Sequence, residues 1–127
     1  MKAIKQAIVV RKDLRLGKSE LLAVAVKASI NFLLENNESE RVDELLVRLS
    51  HQELHWLKDS FQLSMSVVDS HDALSDIMFK AEIMGISVYS IAEKNPKNSE
   101  EKKLACIALG PDEEDLINQV IGNLKSA

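Results

Sequence analysis

One helical segment, from Ser19 to about Glu35, constrains the fold of this chain more than any other stretch. Its apolar residues recur around most of the helix instead of along one stripe: Leu21, Leu22, Val24, Ala25, Val26, Ala28, Ile30, Phe32, Leu33 and Leu34. A helix that is apolar on most faces must be covered on more than one side. The sequence therefore predicts that this helix is sandwiched and does not lie on the surface.

A strand and a cationic turn lead directly into this helix. The apolar stretch from Ile4 to Val10 predicts the first strand. The turn that follows carries four cations and a glycine: Arg11, Lys12, Arg15, Gly17 and Lys18. Because amide groups at a helix N-terminus carry partial positive charge, Arg15 and Lys18 could hold a phosphate or a carboxylate together with them. A solubilising loop is the alternative interpretation.

Length and composition limit the class of protein. A chain of 127 residues suits one domain, spanning residues 1–127. Its 46% of apolar and 28% of charged residues are ordinary for a globular protein and exclude a disordered or collagen-like chain. The sequence shows no membrane span and no signal-peptide core, and one cysteine, Cys106, rules out an intrachain disulfide. These features predict a cytoplasmic protein.

Positive charge is concentrated at the start of the chain. Six cations and Asp13 give residues 1–18 a charge of +5, which leaves −9 for the remainder of a chain whose net charge is −4. A polyanion would be attracted to one edge of such a molecule and repelled elsewhere. This asymmetry favours docking of an RNA end over coating of a duplex.

The rest of the chain alternates between strand and helix patterns. Period-two or short apolar runs predict strands at 62–68, 86–91 and 104–109, and 93–103 predicts a polar loop. Helical spacing predicts an amphipathic helix at 39–50, a short helix behind a capping box at Ser50 and Glu53, a helix ending before Gly85, and a last helix starting at Gly110. The order predicts an α/β fold: a single three-layer domain with a four-stranded mixed β-sheet flanked by helices on both faces.

Few residue patterns carry recognisable chemistry. His51 and His55 lie one helical turn apart, but Glu53 is misplaced for a zinc-protease motif, so two surface histidines are the simpler interpretation and no metal site is predicted. Cys106 lies inside an apolar strand, which favours a buried structural thiol over a nucleophile. The sequence has no glycine-rich phosphate loop and no nucleophile elbow.

The cationic turn and the polar loop could share one edge of the sheet. Ligands of open α/β sheets bind outside the carboxyl ends of the strands. If the first and third strands run parallel, Glu93 faces Arg15 and Lys18. A carboxylate placed there could act as a base towards water, or could form a structural salt bridge with the cations.

Three stretches resemble the type-2 peptidyl-tRNA hydrolase family. They are IVVRKDLRLGK at 8–18, DSHDALSDIMFKAEIMGISVYSI at 69–91 and IALGPDEEDLINQVIGNLK at 107–125. The resemblance covers almost the whole chain in order, with 38–50 looking like an insertion. It implies a small mixed-sheet α/β fold, hydrolysis of the ester between a peptide and the tRNA 3′ end, the tRNA acceptor end as ligand, and no cofactor. It leaves a homodimer open.

The resemblance is incomplete at the functional positions. The family's lysine-rich K-x-G-K-G-K loop keeps two cations, Arg15 and Lys18, and loses the last at Glu20. The histidine of its Q-x-x-H-A helix falls on Lys27. In its D-A-G-R-T-Q loop, the aspartate falls on Glu93 and the threonine on Lys97, and a further threonine falls on Ala105. Replacing Asp with Glu keeps the charge but moves the carboxylate, and replacing Thr with Lys leaves only a donor.

The resemblance assigns the candidate site residues as follows. Lys18, Glu93 and Lys97 are catalytic, and Arg11, Arg15 and Gly17 bind substrate. Two alternatives stay open. One is a catalytically inactive relative that binds an RNA end or a protein through the same edge, and the other is an interaction module that works through the acidic stretch 38–59.

Overall fold

The computed structural model describes residues 2–95 and 98–127. The elements along the chain are β1 (Ile4–Arg11), α1 (Lys18–Glu35), α2 (His51–His55), a π-helical turn (Trp56–Ser60), β2 (Gln62–Val68), α3 (His71–Ile83), β3 (Val88–Asn95), β4 (Asn98–Glu113), α4 (Glu114–Ile121) and β5 (Lys125–Ser126). Among the described residues, no helix combines the length and the hydropathy that a membrane span requires.

Five strands form one mixed sheet in the order β3-β4-β1-β2-β5. Strands β1 and β2 are parallel, and all other neighbours are antiparallel. The predicted α/β class and mixed sheet are confirmed, whereas the predicted count of four strands is wrong. The fifth strand, β5, pairs with Ser66 and Val67 over only two residues, which is too short for an alternating pattern to show in the sequence.

Alternate residues of β1 enter different cores. Ala7 and Val9 pack in a cluster with residues of α3 and α4, such as Leu74 and Ile117. Ile8 and Val10 pack in another cluster with Val24 and Ala28 of α1. Because successive side chains of a strand point to opposite faces, helices cover both faces of the sheet, as the element order predicts.

A cluster of aromatic side chains packs at the end of the sheet where β1 and β2 begin. Trp56 is fully buried, its ring meets Phe32 edge-on at a centroid distance of 5.9 Å, and its Nε1 donates to the carbonyl oxygen of Gln62 at 2.8 Å. Phe61 stacks on Trp56 at 4.4 Å, and its left-handed backbone (φ 41°) redirects the chain into β2. The preceding α2 starts at the predicted capping box, in which Ser50 and Glu53 bond reciprocally.

The predicted helix at 39–50 is wrong. This stretch is an irregular loop closed by an isolated bridge between Asn37 and Val47. The Asn37 side-chain oxygen accepts from the amides of Ser39 and Leu46, which offers the backbone an alternative to helical bonds. The loop leaves part of the predicted apolar face in solvent, since Leu46 is 47% exposed and Val42 is fully exposed.

The predicted polar loop at 93–103 is also wrong for the described residues of that range, because β3 continues to Asn95 and β4 begins at Asn98. Glu93 pairs with Lys103, and Asn95 pairs with Asn98. A charged strand at the edge of a sheet lacks the apolar alternation that sequence patterns detect, and charges there discourage pairing with other chains. The last helix begins at Glu114 instead of Gly110, since β4 runs on to Glu113.

Candidate functional site

The topology brings the ends of β1 and β3 to one edge of the sheet. Both strands are antiparallel to β4, so they run parallel to each other. Val10 of β1 and Ile91 of β3 pair with the same residue, Cys106, from opposite sides of β4. The cationic turn after β1 and the end of β3 therefore lie at the same end of the sheet. The sequence predicts that Glu93 faces Arg15 and Lys18 if β1 and β3 run parallel, and they do.

Arg11, the last residue of β1, ties this edge together. It is only 7% exposed. Its Nε and Nη2 donate to the two carboxylate oxygens of Asp13 at 3.1 and 2.7 Å, and its Nη1 donates to the carbonyl oxygen of Leu104 at 2.9 Å. Bidentate pairs of this kind fix geometry as well as charge. In the structure Arg11 thus joins the turn to β4, and Arg15 and Lys18 are the more accessible cations.

The carboxyl of Asp13 is held in its charged form. Hydrogen bonding from Arg11 lowers the pKa of Asp13, against a smaller opposing effect of burial, and Lys103 of β4 lowers it further through its charge. Asp13 is the partner that sequence reasoning missed, although an acid two residues after Arg11 was the available signal. The pair makes the start of the turn a fixed structure rather than a loose loop.

Arg15 lies at a backbone position that side chains rarely adopt. Its φ is 52°, and its amide donates to the carbonyl oxygen of Lys12 at 3.2 Å. The neighbours Leu14 and Leu16 pack against the α1-side core, whereas Arg15 is exposed. Left-handed conformations of residues other than glycine persist where the surrounding structure fixes them, and they cluster at functional sites. The turn therefore presents Arg15 to solvent between two anchored leucines.

Helix α1 starts immediately after this turn, with Gly17 as its N-cap and Lys18 as its first residue. No side chain caps the helix, so its first amides are left for water or a ligand. Glu20 lies close by, since a Cβ at Gly17 would be 3.3 Å from Glu20 Oε1. The helix start thus combines an exposed lysine and helix-dipole charge with one nearby carboxylate.

A small hollow lies between the turn and the sheet. Its volume is about 140 Å³. It is lined by Val10, Arg11, Lys12, Arg15, Leu16, Leu21 and Val67. Pockets for whole small molecules are usually about 300–1,000 Å³. The hollow suits one end group of a large ligand that lies along the surface, with an apolar floor and a cationic rim.

Glu93 lies on β3, next but one to a register shift between Ile91 and Ala92. It is half-buried, and its backbone pairs with Lys103 of β4. β-Bulges and similar register shifts change the direction of side chains and are common next to active sites. Lys97, the third predicted catalytic residue, lies outside the described residues. Ala105, where the resemblance expects a threonine, is buried in the α1-side core and brings no hydroxyl.

The other candidate residues stand apart from this edge. His55 Nδ1 lies 3.2 Å from Asp59 Oδ2, and both line an open hollow of about 230 Å³ with His51. Within 2–95 and 98–127, no three histidine, cysteine or acidic side chains come together as a metal site would require. Burial raises the pKa of the Cys106 thiol to about 12, so it stays neutral and is a poor nucleophile.

Comparisons with known proteins agree over nearly the whole chain. The family model described as "Peptidyl-tRNA hydrolase PTH2" matches residues 4–127. A peptidyl-tRNA hydrolase from Nanoarchaeum equitans is 35% identical over 124 residues, which cover 96% of this chain and 97% of the relative. A peptidyl-tRNA hydrolase from Methanothermobacter thermautotrophicus is 29% identical over 122 residues, covering 96% and 98%. Another from Methanococcus vannielii is 29% identical over 120 residues, covering 94% and 96%.

Proposed function

The chain belongs to the peptidyl-tRNA hydrolase PTH2 family, and on that premise we propose that the edge formed by β1, α1 and β3 hydrolyses the ester between a peptide and the tRNA 3′ end. One observation carries the assignment of this site. The register of β4 with both β1 and β3 sets exposed cations and a carboxylate, Arg15, Lys18 and Glu93, at the same edge. The proposed place of action is the cytoplasm, where translation produces peptidyl-tRNA.

The cations serve to hold the acceptor end of the tRNA. Arg15, Lys18 and the uncapped amides that begin at Gly17 form a positive edge, and phosphate groups bind favourably at such helix starts. Arg11 adds positive charge from below and positions the turn through Asp13. The hollow beside Arg15 accepts one terminal group of the substrate, while the acidic remainder of the chain repels the body of the RNA.

The chemistry proposed is attack by water. Glu93 accepts a proton from the water as its oxygen attacks the ester carbonyl carbon. The bond from that carbon to the ribose oxygen then breaks, and the ribose oxygen takes the proton from Glu93 as the free peptide acid is released, which restores the Glu93 carboxylate. Lys18 stabilises negative charge that develops on the carbonyl oxygen, and Lys97 adds positive charge in place of the family's threonine. General-base help of this kind is worth roughly 10²–10⁴ in rate.

Turnover of a defined N-acyl-aminoacyl-tRNA tests the base. Glu93→Gln keeps the shape of the side chain and removes its charge, so kcat should fall by roughly 10²-fold or more. Glu82→Gln is the matched control, because Glu82 is exposed on α3, on the opposite face of the sheet from α1. Glu93→Asp restores the family's residue and should retain activity. Equal turnover by the Glu93→Gln variant and the wild type would remove Glu93 from the mechanism.

Binding of the same tRNA under non-hydrolysing conditions tests the cations. Lys18→Ala should weaken binding and reduce the dependence of log K on log salt by about one phosphate contact. Lys58→Ala is the control, since Lys58 is exposed just before β2, at the opposite end of the sheet. For Arg15, glycine is the better substitution, because it removes the cation without straining the left-handed backbone.

The two assays separate hydrolysis from binding alone. Binding that depends on Lys18, with no turnover by the wild-type protein, would identify an inactive relative that kept the fold as a binding module. Turnover that Glu93→Gln abolishes would show that glutamate replaces the family's aspartate. Binding unaffected by Lys18→Ala would place the RNA elsewhere on the chain.

A further inference from the structure

An extra residue in β4 gives Glu93 a charged neighbour across the strands. The pairing of β3 with β4 skips Ala105, so that Ala92 pairs with Leu104. Because of this bulge, Glu93 lies opposite Lys103 instead of Leu104. Residues directly opposite each other in an antiparallel pair lie on the same face, with Cβ atoms about 4.5–5.5 Å apart. The bulge therefore sets a lysine beside the proposed base.

The two charged side chains point to the face of the sheet that α1 covers. Leu104 packs in the core on the α3 side, so Lys103, the next residue, points to the α1 side. Ile91 packs in the α1-side core, so Glu93, two residues further on, points the same way. Helix α1 covers this face with its buried side, whereas its outer residues, such as Leu22, stay exposed, so its predicted sandwiching is fulfilled on one side only by the described residues. Lys103 and Glu93 thus lie at the end of the sheet where α1 begins.

Lys103 is not committed to the acid on its other side, Asp13. Its charge lowers the pKa of Asp13, but the two oxygens of that carboxylate accept their hydrogen bonds from Arg11. Within residues 2–95 and 98–127, neither Lys103 nor Glu93 takes part in an ion pair. An ammonium group has three donors on a flexible stem, so rotation of the side chains can bring it to the carboxylate of Glu93.

We propose, on the premise that Glu93 is the base of the proposed hydrolysis, that Lys103 is its positioning residue: the ammonium attracts the carboxylate and restricts it to the orientation that faces the attacking water. Glutamate has one more rotatable bond than aspartate and therefore more orientations to lose, so a fixed charge beside it improves its placement. Charges at this edge then balance in two pairs, Arg11 with Asp13 and Lys103 with Glu93. The cations of the turn stay available for phosphate groups.

Kinetics on a defined N-acyl-aminoacyl-tRNA test the positioning role. Lys103→Met keeps an unbranched stem and removes the charge, so kcat should fall about tenfold while KM stays within about twofold of wild type. Lys103→Gln is a second neutral variant and should give the same loss. Lys103→Arg keeps the charge and should recover about a third or more of the wild-type kcat. Lys58→Met, at the opposite end of the sheet, is the matched control and should leave kcat unchanged. Thermal unfolding of each variant checks that it is folded.

The Glu93→Gln background separates positioning from a merely structural role. If Lys103 acts through Glu93, adding Lys103→Met to Glu93→Gln should lower kcat by less than about twofold further. A further tenfold loss in the double variant overturns the proposal, as does an unchanged kcat in the single variants. A salt slope of tRNA binding reduced by about one contact in Lys103→Met would assign the ammonium to a phosphate instead. These outcomes leave the proposed hydrolysis intact, whereas a wild-type protein without turnover overturns the hydrolysis and the positioning role together.

Discussion

The hydrogen bonds of Arg11 to Asp13 and to Leu104 allow a prediction of how much this residue contributes to the free energy of unfolding. Replacing Arg11 with methionine keeps most of the apolar stem and removes three hydrogen bonds. Bonds to charged groups contribute about 1.5–3 kcal/mol each. Two effects offset part of their loss: folding of the variant no longer has to take a guanidinium out of water, and Asp13 is 37% exposed and can be hydrated in its place. The main uncompensated loss is the partner of the Leu104 carbonyl. We expect a net loss of about 2 kcal/mol.

Urea denaturation measures this loss. With a slope of about 1.5 kcal/mol/M, the midpoint for Arg11→Met should fall by roughly 1–1.5 M. Arg11→Lys should recover less than half of the loss, because an ammonium cannot bond Asp13 in two places and also reach Leu104. A double-mutant cycle with Asp13→Asn isolates the pair, for which we expect a coupling of about 1 kcal/mol.

The direction of the pH dependence follows from the lowered pKa of Asp13. An acid whose pKa is lowered by folding contributes stability above its unfolded pKa, near 3.9, and this contribution is lost as the pH falls through the folded pKa. The wild-type protein should therefore lose more stability than Arg11→Met between about pH 5 and pH 2. Identical acid profiles would contradict the role given to the pair.

The same variant separates positioning from direct substrate binding. If Arg11 only positions the turn, Arg11→Met should lower kcat on peptidyl-tRNA while the salt dependence of tRNA binding stays that of wild type. If the guanidinium contacts a phosphate, the salt slope should drop by about one contact. A stability loss below about 0.5 kcal/mol would refute the reasoning from buried hydrogen bonds altogether.

Three further variants test packing, titration and capping. Trp56→Ala should lower stability by about 3–5 kcal/mol in thermal unfolding, because it removes a fully buried ring and orphans the Gln62 carbonyl. Because burial raises the pKa of Cys106 to about 12, folding opposes ionisation of the thiol, and the free energy of unfolding should fall as the pH rises above about 9. Cys106→Ser should remove this alkaline loss of stability. Alkylation of Cys106 at pH 8 should be no faster than unfolding. Ser50→Ala should lower the free energy of unfolding in urea by about 1 kcal/mol, because it removes the cap of α2. Ser75→Ala is the control, since Ser75 lies inside α3 and is not its N-cap.

The sequence predicts those parts of the fold that have a regular local pattern. Strand β2 begins and ends at its predicted residues because Leu63, Met65 and Val67 alternate with serines, although Leu63 is 47% exposed and it is Ser66 that is buried. The capping box at Ser50 and Glu53 forms as predicted because its bonds are local. Both patterns are formed by residues close together in the sequence, so they can be recognised without knowing how the rest of the chain folds.

The failures occur where the tertiary structure decides. The apolar spacing at 39–50 suits a helix, but the Asn37 side chain accepts hydrogen bonds from the backbone amides of this stretch in a loop conformation, and Val42 stays fully exposed. The strand ends around Glu93 are polar and are held by pairing with Lys103, a partner that no local pattern reveals. At the site, the sequence places Glu93 beside Arg15 and Lys18 only if β1 and β3 run parallel, and that direction follows from the strand order, which no local pattern contains.

Backbone pairing, more than side-chain contact, keeps the two sides of the candidate site together. Val10 and Ile91 share one partner on β4, and Arg11 bonds the β4 backbone at Leu104, so the separation of the cationic turn from Glu93 is set by the sheet. A sheet of this kind tolerates changes of side chain at its edge without moving the strands. Differences in catalysis between this chain and its relatives should then arise from the reach and charge of individual side chains. The carboxylate of Glu93 is the first of these, because it is one methylene longer than the aspartate expected from the family and would place the proposed base differently relative to the attacking water.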